Sequence, residues 1–285
     1  MLQTRLSTPA DIPRQRELWQ LAFGDGGAYV DNFYHTYYKP ERMLMLEEDG
    51  VVQAMTAWFD TTFAVPGGGE YRAAYLYAVA THPEARGRGL AGRLLSDADG
   101  FFRSWGIPAV TTVPAEPSLH NFFGKNGFRE CFTLFEGKLE TGGHPKSFRN
   151  TSLRSVSPAE YGAVREKILA DLPHIAYPEE ALAYQAGACA LTPGGGLYAL
   201  DAPHGRAALC AEGTENGKLL VKELLCAPAD RDWVLECLPG LLPNWGMTYR
   251  VPEGGRPFAM LKWLEPEVGA AWDWSSTAYL GLAFD

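Results

Sequence analysis

Apolar residues recur along the first half of the chain at two spacings, which predict strands alternating with helices. A period of two, as in Tyr75, Tyr77 and Val79, is typical of a strand, while apolar residues three and four positions apart are typical of a helix. Asp49-Gly50 between two apolar runs predicts a two-residue hairpin turn. The predicted elements are strand 2–6, a helix from about 11 to 23, helix 28–38, strands 43–47, 51–65 and 71–80, helix 90–105, strand 109–113, helix 118–125 and strand 128–139.

The second half repeats this order of elements in weaker form. Two fragments align between the halves, Ala80–Arg86 with Leu225–Arg231 and Thr112–Glu116 with Arg250–Gly254. Residues 141–152 are polar and rich in turn formers, so we expect a linker between domains 1–140 and 153–285. The predicted elements are strand 152–156, helices 157–172 and 178–189, strands 196–200, 205–212 and 218–226, helix 229–241, strand 247–251 and a last strand 278–285.

A glycine-rich turn joins a strand to a helix in residues 71–95. The predicted strand ends near Ala80, the chain turns at Pro83, and a glycine-rich bend at Arg86–Gly89 leads into a helix from about Leu90. Backbone N–H groups at the start of a helix are free to bind, and the helix dipole favours negative charge there. The stretch therefore predicts a phosphate site.

Gly87, Gly89 and Gly92 also satisfy the G-x-G-x-x-G pattern of dinucleotide-binding proteins. That pattern needs its first glycine in the tight turn directly after the strand, because this turn carries the pyrophosphate. Here Thr81–Arg86 separate the strand from Gly87, and other strands precede the unit. The placement of the glycines therefore disfavours an NAD-dependent oxidoreductase.

Residues 79–91 resemble instead the acetyl-CoA signature of the GNAT N-acetyltransferase superfamily, a strand ending in Val-x-x-x-Pro followed by R/Q-x-x-G-x-G/A at a helix start. Arg86, Gly89 and Ala91 occupy the three defining positions, and Pro83 matches as well. The resemblance implies that acetyl-CoA is the cofactor. It also implies that the segment Arg86, Gly87, Arg88, Gly89, Leu90 and Ala91 holds the pyrophosphate, and that amides near Val79 and Ala80 face the pantetheine and thioester.

A second stretch, Ser118–Phe128, resembles a later motif of the same family, N-x-x-A-x-x-F-Y-x-K-x-G-F. Two positions depart from it. Phe123 stands where the family usually has the tyrosine that protonates the leaving thiolate, and Glu116 stands where it often has asparagine. Phe123 still predicts packing beside the cofactor, but the usual general acid is missing.

The resemblance implies an α+β fold with a mixed sheet, the GNAT fold, with 1–140 as the catalytic domain that binds acetyl-CoA. The predicted helix at 229–241 begins with two aspartates and no glycine, so its start would repel a pyrophosphate. We therefore expect 153–285 to be a degenerate GNAT-like domain that does not bind coenzyme A. An unrelated α+β domain is the alternative.

Three residues are candidates for catalysis. Glu116 ends the strand beside the predicted cofactor and is the first candidate base, with a surface carboxylate or helix cap as its other interpretation. Tyr77 on the central strand could replace the missing acid, or it could be a core residue. The resemblance to tandem enzymes whose terminal carboxylate enters the active site adds Asp285. The bend Gly24–Ala28, the aromatic helix after it and the facing second domain are expected to shape the acceptor pocket.

Composition limits the partners. The net charge of −9 gives no basic footprint for nucleic acid and weakly favours cationic acceptors. The start lacks the apolar core of a signal peptide, and no apolar run is long enough to span a membrane. Five scattered cysteines without metal-site spacing suggest reduced thiols and a cytoplasmic location. We expect a monomer or homodimer and no metal.

These observations predict an acetyl-CoA-dependent N-acetyltransferase acting on the amine of a small molecule or an amino acid derivative, with a peptide or protein amine as another acceptor. The alternative is a non-catalytic acyl-CoA-binding regulatory protein, which the absence of an obvious acid and base would favour. The resemblance fixes neither the acceptor nor the acyl chain.

Overall fold

A computed structural model describes residues 1–139, 151–202, 205–242 and 246–284. The elements of the first half are β1 Leu2–Leu6, α1 Ile12–Phe23, α2 Gly27–Thr36, β2 Met43–Glu48, β3 Val51–Val65, β4 Gly69–Thr81, α3 Leu90–Ser104, β5 Ala109–Thr112, α4 Pro117–Lys125 and β6 Arg129–Leu139. The predicted order of strands and helices in this half is confirmed.

The second half adds β7 Ser152–Ser155, α5 Pro158–Leu169, β8 His174–Ala176, α6 Glu179–Cys189, β9 Gly196–Ala202, β10 Gly205–Gly213, β11 Leu219–Leu225, α7 Arg231–Leu241, β12 Met247–Trp263 and α8 Pro266–Ala271. Within the described ranges, β8 and α8 are elements that the sequence pattern missed. Both are short, and a segment of three to six residues carries little periodicity. Residues 141–150 of the predicted linker lie outside the described residues.

The first half forms a sheet in the order β1-β2-β3-β4-β5, antiparallel except for the parallel pair β4 and β5. Alternation along β4 sends Ala73 and Tyr75 into the core beneath α1 and α2, and Ala74 and Leu76 into the core beneath α3. The strand is therefore buried on both faces, which explains its nearly continuous apolar sequence.

The predicted hairpin turn between β2 and β3 is confirmed. Glu48 pairs with Val51, and the two residues between them, Asp49 and Gly50, have φ of 51° and 84°. Positive φ at both central positions is the geometry that Asp-Gly favours, because its twist matches that of the flanking strands.

Strand β12 joins the two halves into one sheet. Its start, Met247–Tyr249, lies parallel to β11, whereas its end, Met260–Trp263, lies antiparallel to β5, and β6 runs beside it through both regions. The predicted strand 247–251 is therefore too short. Val251 and Arg256 pair with the consecutive residues Phe135 and Leu134, so the four residues between them bulge out of the ladder and pairing then resumes.

Apart from β8 between α5 and α6, the order β7-α5-α6-β9-β10-β11-α7-β12 repeats β1-α1-α2-β2-β3-β4-α3-β5, and the last two strands of each order are parallel. A short 3-10 helix also follows β4 at Pro83–Ala85 and β11 at Pro228–Asp230. Because β12 lies in both regions of the sheet, the division into domains 1–140 and 153–285 stays a prediction.

The predicted last strand, 278–285, is wrong for residues 278–284. This segment has two isolated bridges, Phe132 with Ala278 and His174 with Tyr279. Side chains bind its carbonyl groups beyond them: Arg165 Nη2 donates to the Leu280 oxygen at 3.1 Å, and the Tyr177 hydroxyl donates to the same oxygen at 3.1 Å. The segment is buried without forming a ladder, because side chains satisfy its backbone.

Candidate active site

A cavity of about 410 Å³ opens where β4 and β5 diverge. The two strands pair from Ala73 opposite Ala109 to Leu76 opposite Thr112, and the ladder then stops. Strand β4 runs on to Thr81, while the chain after β5 turns away towards α4. Ligands of mixed sheets commonly bind where neighbouring strands separate at their carboxyl ends, so the gap is a candidate site.

A bulge in β4 forms one wall of this cavity. Tyr77 pairs with Ala57 and Ala80 pairs with Met55, so Ala78 and Val79 together face a single residue of β3. Ala78 has a φ of 50°, which is uncommon for a residue with a Cβ and is found where local structure is constrained for function. Ala78 and Val79 both line the cavity, whereas Ala80 is buried in the ladder beyond it.

The glycine-rich turn lies at the start of α3, outside the lining of this cavity. Gly87 and Gly89 have φ of 76° and 79°, and a Cβ at either position would meet nothing within 4 Å, so the turn is open to an approaching group. The first N–H groups of α3, beginning at Leu90, have no partner within the helix. The turn thus has the geometry of the predicted phosphate site.

The arginine side chains of the turn are already engaged. Arg86 Nε donates to the Thr81 carbonyl oxygen at 3.2 Å. The Arg88 guanidinium forms two hydrogen bonds with Glu48, at 2.6 and 2.9 Å. The predicted contribution of these residues to phosphate binding therefore rests on their backbone.

Tyr77 belongs to a cluster of three tyrosine hydroxyl groups. Its oxygen lies 2.9 Å from the Tyr29 hydroxyl and 2.7 Å from the Tyr184 hydroxyl, which belongs to α6 of the second half. The Tyr29 hydroxyl also donates to the Phe284 carbonyl oxygen at 3.1 Å. Burial first, and then the neighbouring Tyr184 and Tyr29, raise the pKa of Tyr77 well above its usual value. Tyr77 therefore stays protonated at neutral pH and holds its proton tightly.

Helix α4 and its N-cap residue line part of the cavity, from Glu116 at the start to Phe123 near the end of the helix. Glu116 is exposed at the N-cap position of α4 and accepts a hydrogen bond from Ser118 at 3.3 Å. Phe123 is buried against Phe128, with ring centroids 5.4 Å apart, and lines the cavity with a ring that carries no hydroxyl. Asp285, the third predicted catalytic residue, lies outside the described residues.

The bend after α1, which the sequence predicts to shape the acceptor pocket, contributes to the cavity wall. Gly24 ends α1 with a φ of 72°, and Asp25 then turns back to accept a hydrogen bond from the Trp19 indole at 2.7 Å. Trp19 and Asp25 line the cavity together with Tyr29. This wall combines aromatic surface with one carboxylate.

The second half also lines the cavity, as the sequence predicts for the acceptor pocket, but through residues that sequence reasoning did not single out. Arg250, Arg256 and Phe258 of β12 line the cavity, as do Ala283 and Phe284 of the terminal segment. Pro252 and two glycines interrupt the apolar pattern after Val251, which is why the strand was expected to end there. The one signal in the sequence was the resumed run of apolar residues from Phe258 onwards.

The described residues contain no cluster of three or more potential metal ligands, and no helix in them is long and apolar enough to cross a membrane.

Residues 3–130 match the family model described as an acetyltransferase (GNAT) domain. A GCN5-related N-acetyltransferase of Anabaena variabilis is 15% identical with a TM-score of 0.70, covering 93% of this chain and 73% of that one. Eis1 of Mycobacterium abscessus is 15% identical with a TM-score of 0.69, covering 95% and 75%. A GCN5-related N-acetyltransferase of Kribbella flavida is 17% identical with a TM-score of 0.68, covering 93% and 72%.

The search of curated proteins found no match. Residues 3–130 are thus similar in sequence to GNAT acetyltransferase domains, and the predicted GNAT fold is confirmed. At these identities the solved structures show a shared fold and nothing finer.

Proposed function

We propose that this protein is an acetyl-CoA-dependent N-acetyltransferase that acts on the amine of a small molecule. The observation that carries the proposal is that β4, whose bulge lines the cavity, leads through Pro83 directly into the glycine turn at the start of α3. The same segment therefore offers a place for a reacting group and a place for phosphate.

The residues fit the cofactor. The open space over Gly87 and Gly89 and the N–H groups that begin α3 would hold a pyrophosphate. Val79 at the bulge would lie beside the pantetheine, and Phe123 would pack against it. When bound there, the acetyl thioester would supply an electrophilic carbonyl group.

Amide formation needs a neutral amine, and the thiolate that leaves must receive a proton. Glu116, exposed at the cavity rim, is the candidate that receives the proton of the amine, directly or through water. Tyr77 lines the cavity, and its hydroxyl group is the candidate proton donor. Its raised pKa makes this donation slow unless the Tyr29 and Tyr184 hydroxyl groups share the charge. Asp285 stays a candidate, because its neighbour Phe284 lines the cavity.

Calorimetry of the purified protein against acetyl-CoA, coenzyme A and NAD tests the cofactor, and thiol release with a panel of amines tests the reaction. We expect micromolar binding of acetyl-CoA, none of NAD, and thiol release with at least one amine. Absence of binding to both forms of coenzyme A would overturn the proposal.

A second candidate function is a non-catalytic acyl-CoA-binding regulatory protein. Phe123 favours it, because the ring places no hydroxyl group in the cavity, and the raised pKa of Tyr77 favours it too. Tight acetyl-CoA binding without thiol release on any amine would support this function over the first.

Three further proposals concern the roles of the two domains, the cellular location and the oligomeric state. Residues 1–140 act as the catalytic domain and 153–285 as a degenerate partner whose α7 start carries Asp230 and Asp232. All five cysteines are free thiols, which suits the reducing cytoplasm. The protein acts as a monomer or homodimer without nucleic acid.

A further inference from the structure

Arg250 of β12 is a largely buried cation on the cavity wall with one unused hydrogen-bond donor. Its side chain is 12% exposed, and its Nε donates to Glu136 at 3.1 Å. Its Nη1 is buried and has no hydrogen-bond partner among the residues that the structure describes. A buried donor without an acceptor is rare, because it loses its hydrogen bonds to water without replacement. Because Arg250 lines the cavity, a rotation of its guanidinium group would bring this donor to an acceptor that enters there.

This wall carries more positive charge than its own carboxylate neutralises. Arg256 Nη2 lies 3.4 Å from the same Glu136 oxygen that Arg250 contacts, so two guanidinium groups share one carboxylate. Both guanidinium carbons lie over the Phe258 ring, at 5.4 and 5.9 Å from its centroid. The ring and the ion pairs hold the two arginines at the cavity wall. Among the described ion pairs, Glu136 neutralises only one of the two positive charges, so the wall keeps a net positive charge.

Carboxylates lie elsewhere on the cavity wall. Asp25 lies on the wall built by α1 and the following bend, and Glu116 lies at the start of α4. Among the ion pairs of the described residues, neither of them pairs with Arg250 or Arg256. The cavity therefore has separate acidic and basic positions, which together suit a molecule that carries both an amine and an acid group.

We propose that the acceptor is an amino acid, whose carboxylate binds the Arg250 guanidinium while its amine faces the thioester at the β4 bulge. Arginine matches the planar carboxylate with two parallel donors, and such charge-assisted hydrogen bonds are strong where water is excluded. Arg256, whose side chain is 55% exposed, adds charge at the rim. The inference rests on the proposed acetyltransferase function and narrows its substrate class.

Thiol release with matched pairs of acceptors tests the inference. The probes are phenylalanine with phenethylamine, tryptophan with tryptamine, and leucine with isoamylamine, plus phenylalaninamide, which keeps the size but lacks the negative charge. We expect kcat/KM to be at least about tenfold higher for each amino acid than for its partner or amide. Equal or higher values for the decarboxylated amines or the amide would overturn the inference and leave the acetyltransferase intact.

Substitutions of the arginines test whether Arg250 causes the preference for acceptors that carry a carboxylate. Arg250→Gln should bring the ratio of kcat/KM between phenylalanine and phenethylamine close to one, mainly through KM for phenylalanine, whereas Arg250→Lys should keep part of the preference. Arg256→Gln should lower the ratio less, because solvent screens an exposed charge. Arg206→Gln, an exposed arginine on β10 outside the cavity lining, is the matched control and should leave the ratio unchanged. An unchanged ratio in a folded Arg250→Gln protein would refute the role of Arg250.

A binding measurement keeps the inference testable without turnover. Calorimetry with coenzyme A-saturated protein should show tighter binding of N-acetylphenylalanine than of N-acetylphenethylamine, and Arg250→Gln should remove the difference. Equal affinities in the wild-type protein would refute the inference. Acetyl-CoA affinity, measured in the same variants, should stay at the wild-type value, so a failed acetyl-CoA site is distinguished from a failed carboxylate site.

Discussion

Replacement of Gly89 by aspartate should abolish tight acetyl-CoA binding while the protein stays folded. Gly89 is the N-cap residue of α3 with a φ of 79°, and a Cβ there would meet nothing within 4 Å. An L-residue in this conformation is strained by about 1–2 kcal/mol. Aspartate tolerates it better than most residues and is a favoured N-cap, which offsets part of that strain. We therefore expect the free energy of unfolding to fall by about 1 kcal/mol or less.

The effect on the cofactor should be much larger. The new carboxylate would lie at the helix start where the pyrophosphate is proposed to bind, and two unit charges 4 Å apart near a protein surface repel by about 4 kcal/mol before screening by salt. If half of this repulsion survives, acetyl-CoA affinity falls by about 30-fold, and a second phosphate charge would increase the loss.

Calorimetry measures the affinity, and thermal unfolding verifies that the variant is folded. Gly100→Asp is the matched control, because Gly100 lies in the same helix, its Cβ would also meet nothing within 4 Å, and the charge change is identical. This control should bind acetyl-CoA within about threefold of the wild type, since its charge lies far from the helix start and is screened. Wild-type affinity in a folded Gly89→Asp protein would refute the assignment of Gly87–Ala91 to the pyrophosphate.

Three further perturbations test catalysis and stability. Glu116→Gln should lower kcat for amine acetylation about 100-fold with little change in acetyl-CoA affinity, measured by thiol release at saturating amine, if Glu116 is the base. Arg165→Met should destabilise the protein by about 3–5 kcal/mol in urea unfolding, because both Arg165 and its partner Glu223 are 0% exposed and the carboxylate would stay buried without its cation. Asp11→Asn should destabilise the protein at pH 7 and converge with the wild type in acid. Arg5 holds the pKa of Asp11 at about 2 against 3.8 unperturbed, so its contribution is present above about pH 4 and is lost as the pH falls towards 2.

For each of these three substitutions, a specific result or a control variant would contradict the stated reason. An unchanged kcat in Glu116→Gln would leave Asp285 as the remaining candidate base, which truncation of that residue would examine. Arg206→Met breaks an exposed pair with Asp201 and should change stability by about 1 kcal/mol or less, so an equal loss in both arginine variants would contradict the importance of burial at Arg165. A difference between wild type and Asp11→Asn that is as large at pH 2 as at pH 7 would show that the effect is not the charge of Asp11.

The buried pair at Arg165 also connects stability to the site. Arg165 binds the Leu280 carbonyl as well as Glu223, and the same terminal segment places Phe284 on the cavity wall. Loss of Arg165 should therefore loosen that wall. We expect thiol-release activity in Arg165→Met to fall at temperatures at which the protein is still folded.

The sequence by itself determined the first half of the fold and the glycine turn. These features depend on local chemistry: the period of apolar residues fixes strands and helices, Asp49-Gly50 fixes a hairpin through its positive φ, and Gly89 permits the turn that begins α3. Tyr77, Val79, Glu116 and Phe123 line one cavity, because the first two lie at the end of β4 and the other two belong to the segment that follows β5.

Only the tertiary structure decided how the two halves share the site. β12 pairs with β5, more than a hundred residues earlier in the chain, and no local pattern specifies such a partner. The bulge between Val251 and Arg256 hid the continuation of this strand, so the pairing that brings Arg250 and Arg256 together on the cavity wall could not be inferred from the sequence. The terminal segment looked like a strand because it is apolar, yet its backbone is held by distant side chains such as Arg165. Long-range pairing and burial, which depend on the whole chain, decided what the cavity can bind.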